Sequence, residues 1–180
     1  LYLDEFQKES TPLSSRRIMY VSNAVGATPV VVASFPWDST PGLSRESLLL
    51  GAAVRRATYT AEGMVYIASS EDGLVWSEEF SVAGTQSSIS GGTSTADVAY
   101  VDPNGSVVYV ENDGSGWSSP FEVIAAGHSP FMAANDIRDE NGSLVDVARY
   151  VFYFKSDPPR TDADEIFART NQLMQDRIPP

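Results

Sequence analysis

Three tryptophans recur at a fixed distance behind a tyrosine. Tyr20 precedes Trp37 by 17 residues, Tyr59 precedes Trp76 by 17, and Tyr100 precedes Trp117 by 17. An indole ring held at a repeated position has two uses. It can pack as core between neighbouring units, or it can offer a flat apolar face on which a pyranose ring stacks while short polar side chains and a cation orient the hydroxyls. Trp76, Trp117, Trp37 and Arg56 are therefore the candidate ligand-binding residues, and a glycan is the ligand their chemistry suits.

Other reactive combinations are scarce. The single histidine, His128, lies in Gly127-His128-Ser129-Pro130, which reads as a turn, and no G-x-S-x-G elbow accompanies it. The chain has no cysteine, so disulfides, thiol nucleophiles and thiolate metal sites are excluded. Asp136, Asp139, Glu140 and Asn141 gather before Gly142, but Ile137 stands where a calcium loop needs its first ligand, so the stretch reads as an acidic turn. No catalytic residue, metal site or cofactor is expected.

The elements that position the tryptophans are legible as a repeat. Asp72-Gly73-Leu74-Val75-Trp76-Ser77-Glu78-Glu79-Phe80-Ser81-Val82 and Asp113-Gly114-Ser115-Gly116-Trp117-Ser118-Ser119-Pro120-Phe121-Glu122-Val123 align without a gap, 41 residues apart, and share six of eleven positions. Each unit reads as short strands separated by turns. In one, strands are predicted over Asp97–Val101, Val107–Val110 and Trp117–Val123, with turns at Asp102-Pro103-Asn104-Gly105 and Asp113-Gly114. The preceding unit repeats the plan over Val54–Thr60, Met64–Ala68 and Trp76–Val82, and the Gly-, Ser- and Thr-rich stretch Thr85–Thr95 reads as a crossing segment. Strands repeating at about forty residues are the pattern of a propeller blade, because one small meander cannot bury both faces and needs neighbours stacked on it.

Composition narrows the partners. Twelve Lys and Arg stand against 24 Asp and Glu, a net charge of −12 that opposes binding to phosphate backbones and anionic lipid, so nucleic acid is not an expected partner. No apolar run approaches the length of a membrane span, and no membrane insertion is expected. The absence of cysteine leaves the compartment open, with a secreted or extracellular setting slightly favoured.

Two resemblances attach to these residues. Ser69-Ser70-Glu71-Asp72-Gly73-Leu74-Val75-Trp76 resembles the Asp-box of sialidases and related propellers, S-x-D-x-G-x-T-W, with Glu71 in place of the aspartate and Val75 in place of the threonine. Tyr100-Val101-Asp102-Pro103-Asn104-Gly105, Val107–Val110 and Asp113-Gly114-Ser115-Gly116-Trp117 are similar to one blade of the fungal and bacterial fucose-binding propeller lectins. Those lectins hold sugar between blades with an arginine, a glutamate and a stacking tryptophan. The resemblance implies Trp76 and Trp117 for the tryptophan, and Arg56, then Asp97, for the arginine. The glutamate position falls on Tyr66 and Tyr109.

The expectation is an all-β, propeller-like repeat of about four blade units of about 40 residues. The repeat domain would span 1–160, in units of about 15–45, 50–84, 92–127 and 130–160, followed at 161–180 by a C-terminal helix or last strand. Asp162 with Glu165 suggests a capping box, and Ile166, Thr170, Leu173 and Met174 share one helical face, which favours a helix over about 162–176. The expected function is non-catalytic, lectin-like carbohydrate binding in clefts between blades. A structural or protein-interaction module of a larger assembly is the alternative, and a sialidase-like glycoside hydrolase fragment the third. About four units also suit closure of a larger ring by a homo-oligomer.

Overall fold

The computed structural model describes residues 1–6, 15–36, 38–43, 47–50, 53–91, 95–155 and 165–170. Among them every regular element is a strand, and the strands form four antiparallel sheets in chain order. The first sheet contains β1 (Tyr2–Phe6), β2 (Ser15–Tyr20) and β3 (Val30–Phe35). The second contains β4 (Leu48–Leu50), β5 (Arg55–Ala61), β6 (Met64–Ser70) and β7 (Ser77–Ala83). The third contains β8 (Thr85–Ser90), β9 (Ala96–Val101), β10 (Val107–Asn112) and β11 (Phe121–Ile124). The fourth contains β12 (Gly127–Arg138), β13 (Leu144–Lys155) and β14 (Glu165–Thr170).

Alternation along the second strand of each sheet explains how the sheets stack. On β5, Ala57 and Tyr59 join Ile18, Tyr20 and Val32 of the first sheet in one core cluster. Thr58 turns the other way, and its hydroxyl lies 2.9 Å from that of Ser87 on β8. On β9, Val98 and Tyr100 pack with Val65 and Ile67 of the second sheet, while Ala99 and Val101 pack with Met132, Val151 and Tyr153 of the fourth. Each of these strands is buried on both faces, and β9 is buried at every position. A fully buried valine or isoleucine there stabilises the stack by about 1.5–3 kcal/mol relative to exposure. The three clusters join first to second, second to third and third to fourth sheet.

The turns follow from carboxylate side chains. Asp102 Oδ1 accepts the backbone N–H groups of Asn104 and Ser106, at 2.9 and 2.8 Å. Asp139 repeats this with Asn141 and Ser143, so the acidic stretch before Gly142 is a hairpin turn. Among the described residues no group of three or more His, Cys, Asp or Glu is arranged to hold a metal ion.

Three sequence expectations are corrected. The predicted helix over 162–176 is contradicted at Glu165–Thr170, which forms β14 and pairs with Tyr150–Lys155; the rest of that range lies outside the described residues. The pairing satisfies a β13 edge that would otherwise be open, and this tertiary gain outweighs the local capping pattern. The crossing segment Thr85–Thr95 contains strand β8. Its serines replace apolar contacts with hydrogen bonds to the next sheet: Ser88 Oγ accepts Met132 N–H at 3.0 Å and Ser90 Oγ accepts Ala134 N–H at 2.9 Å. His128 belongs to β12, where its ring stacks on Phe154 with centroids 5.5 Å apart.

Candidate functional site

Arg56 leaves β5 on the face turned toward the third sheet, the face that also carries Thr58. Its guanidinium donates from Nε to Glu79 Oε2 at 2.8 Å and from Nη2 to Glu79 Oε1 at 3.0 Å, a bidentate fork. The two side chains retain 15% and 22% of their exposure, so a solute can reach them. Glu79 Oε1 also accepts from Asn112 Nδ2 at 3.1 Å. Since Asn112 ends β10, the carboxylate links the second sheet to the third.

Glu79 reaches this position through a β-bulge. On β7, Phe80 pairs with Ile67 and Glu78 with Ala68, leaving Glu79 as the extra residue. A bulge turns consecutive side chains to one side. Phe80 accordingly stacks on Trp117 of the third sheet, with ring centroids 5.5 Å apart and planes at 25°, while Glu79 beside it meets Asn112. Trp117 in turn forms an isolated bridge with Asn112. Contacts between the second and third sheets thus link Arg56, Glu79, Asn112 and Trp117.

The indole Nε1–H of Trp117 is buried and finds no acceptor. Buried donors are nearly always paired, because an unpaired one forfeits its hydration. Trp76 repeats the feature where the first and second sheets meet: its Nε1–H is also buried without an acceptor, and its ring tilts against Tyr20 at 5.4 Å. Beside it a cavity of about 370 Å³ is lined by Tyr20, Ser22, Thr28, Arg55 and Asp72. Asp72 anchors the turn before Trp76. It accepts from Leu74 N–H at 2.7 Å and Val75 N–H at 3.1 Å, and these bonds hold its carboxyl below the usual range. Asp72, not Glu71, is therefore the aspartate that organises this turn.

Between the third and fourth sheets the charges are reversed. Asp97 occupies the place of Arg56 and is fully buried, with Arg149 Nε 2.7 Å from its Oδ1 and 3.2 Å from Glu111 Oε2. Burial pushes the Asp97 carboxyl up to about 6, although the neighbouring Arg149 pulls the other way.

Of the candidates read from the sequence, Arg56 and Trp117 lie where the second and third sheets meet and Trp76 where the first and second do, while Trp37 lies outside the described residues. The resemblance put the glutamate position on Tyr66 and Tyr109, where no glutamate stands; Tyr66 stacks on Tyr59 at 5.4 Å and 16°, and Tyr109 tilts against Phe121 at 5.4 Å. Glu79 and Asn112 were missed. A period-two reading of β7 cannot register a bulge, and the only signal was the pair Glu78-Glu79 within an otherwise repeated segment.

No family model and no curated protein sequence matches the chain. Among solved structures it is similar to AofleA from Arthrobotrys oligospora, with a TM-score of 0.50 and 13% identity over 88% of this chain. The match covers 50% of that protein, so this chain spans about half its length. At this identity the likeness is one of fold.

Proposed function

We propose that the protein is a non-catalytic, lectin-like carbohydrate-binding protein, that its four sheets stack as consecutive propeller blades, and that glycans bind in the clefts between them. The observation that carries this reading is the juxtaposition of the part-exposed Arg56–Glu79 fork with Trp117, whose buried N–H lacks an acceptor. A sugar suits these groups. Its hydroxyls accept from a guanidinium and an indole N–H and donate to a carboxylate, and its apolar ring face packs on an aromatic. The fork is already formed, so little side-chain entropy is lost on binding. Trp76 shares the buried, unpaired indole N–H, and Arg55 and Asp72 line the cavity next to its ring partner Tyr20.

A second reading has its own support. Both tryptophan rings pack beside inter-sheet cores, Trp76 with Tyr20 and Trp117 with Phe80, as a structural or protein-interaction module would require. A glycan array separates the two. Selective binding by the wild type, lost in a Glu79→Gln variant that keeps its β-sheet spectrum, is the expected result. A folded wild type that binds no glycan across a broad array would leave the interaction module as the reading.

A further inference from the structure

A second cavity lies where β8 and β12 begin, and Arg56, Glu79, Asn112 and Trp117 are not among its lining residues. Its volume is about 510 Å³, within the usual range for small-molecule sites. The described residues that line it include Thr60, Thr85, Gln86 and Ser129, which carry hydroxyl and carboxamide groups, with Leu43 and Phe131 as apolar wall, and none of the described lining residues is charged. Phe131 keeps 40% of its exposure.

The backbone at the rim is strained twice, in the same way. Gln86 has φ of 54° and Ser129 has φ of 50°, values that non-glycine residues rarely adopt. Ser129 also precedes Pro130, which further disfavours a helical-type backbone before it. Both residues sit where a strand skips register, at Thr85/Ser88 and His128/Phe131. The two are bound to each other: Ser129 N–H donates to Gln86 Oε1 at 2.6 Å. Strain of this kind persists only where its surroundings enforce it, and such positions gather at binding sites.

We infer that this cavity is a second ligand site, one that takes a neutral, polyhydroxylated molecule such as a saccharide. Hydroxyl and carboxamide groups exchange hydrogen bonds with such a ligand in both directions, and the Phe131 ring receives its apolar face. Among the described lining residues a charged ligand finds no counterion. The inference is independent of the Arg56–Glu79 site, which has different residues and a charged lining.

The test is an amide NMR titration of the full chain with methyl β-D-glucopyranoside and methyl α-L-fucopyranoside, with glucosamine and glucuronate as charged controls. The expected result is that the amides of Thr85, Gln86, Ser129 and Phe131 shift together with a neutral probe and not with the controls. Phe131→Ala is expected to weaken that response about tenfold, while any response at Glu79 and Asn112 persists. Gln86→Gly serves as the second variant, since glycine accepts the positive φ while the carboxamide is lost; it too should weaken the response. Silence of these amides with both neutral probes, an equal response to the charged controls, or loss of the response in Glu79→Gln would overturn the inference. A response here with none at Glu79 and Asn112 would support this site and count against the inter-sheet one.

Discussion

Arg149 on the fourth sheet sets its Nε 2.7 Å from Oδ1 of Asp97 on the third, so this ion pair spans two sheets. Asp97 stands three residues before the buried Tyr100, as Arg56 stands three before the buried Tyr59. One strand position therefore carries opposite charges in consecutive sheets. Arg56 takes its carboxylate from its own sheet, from Glu79, whereas Asp97 draws its guanidinium from the neighbour.

Arg149→Met should be costly, because it leaves the buried Asp97 carboxylate without its cation. The expected loss is about 3 kcal/mol at neutral pH. Adding Asp97→Asn should recover much of it, since no buried charge then remains. Urea unfolding of the two single variants and the double variant measures the coupling. Additive effects would mean that the pair does not interact.

The same carboxyl shapes the pH response. Its ordinary value is 3.8 and its folded value about 6, so the folded chain takes up the proton more readily than the unfolded one. Its contribution to stability is complete below pH 3.8, is lost as pH rises to about 6, and is constant above that. Asp72 and Asp113, held low by turn hydrogen bonds, act in the opposite sense: their contribution is present above the ordinary value and lost as pH falls through the depressed one. Denaturation midpoints from pH 4 to 7 should therefore decline more steeply for the wild type than for Asp97→Asn. Parallel profiles would show that Asp97 does not titrate in this window.

Trp117 separates packing from recognition. Trp117→Phe keeps a ring against Phe80 but deletes the Nε1–H, and it should weaken glycan binding with a stability cost of about 1 kcal/mol or less. Trp117→Ala should lose binding and about 2–3 kcal/mol, since the stacked ring goes as well. Isothermal titration with an array hit, read beside thermal melts, distinguishes the two. Unchanged affinity in Trp117→Phe would remove the N–H from the site.

Two glycines tie successive sheets together. Gly84 N–H donates to the Gly63 carbonyl at 2.8 Å, and Gly127 N–H donates to the Gly105 carbonyl at 3.0 Å, each reaching back to the hairpin of the previous sheet. A Cβ on Gly84 would lie 2.6 Å from the Tyr100 ring and 2.7 Å from the Val101 carbonyl oxygen; on Gly127 it would meet the methyl groups of Val107 and Ile124 at 2.7 and 3.0 Å. The γ-methyl groups of β-branched Val107 and Ile124 have little room to give, and a buried ring together with a backbone oxygen has less. Gly84→Ala is therefore expected to cost about 2–3 kcal/mol and Gly127→Ala about 1 kcal/mol. Thermal denaturation ranks them, and the reverse order would contradict the packing.

How much could be read in advance depended on the physics behind each element. Val107–Val110 was legible as a strand because β-branched and aromatic residues there alternate between two hairpin turns. The middle strands Arg55–Ala61 and Met64–Ser70 were legible for the same reason. Strand β8 was hidden, because Ser87, Ser88 and Ser90 make hydrogen bonds across the sheets that no propensity scale registers. The end of the chain misled because Asp162 and Glu165 fit a local helix signal, while the pairing of Glu165–Thr170 with β13 is a tertiary fact. At the site, Arg56 and Trp117 stood out by type and spacing. Glu79 did not, since only a skipped pairing on β7 turns it toward Asn112.

The pairwise sharing of cores also sets how the molecule comes apart. Among the described residues each core cluster joins two neighbouring sheets, so disruption of one sheet passes to the next through a shared core. The third sheet contributes to two of the three clusters, and β9 has no exposed position. Its amide hydrogens should be the last to exchange with solvent, and the sheets at either end should open first, one at a time.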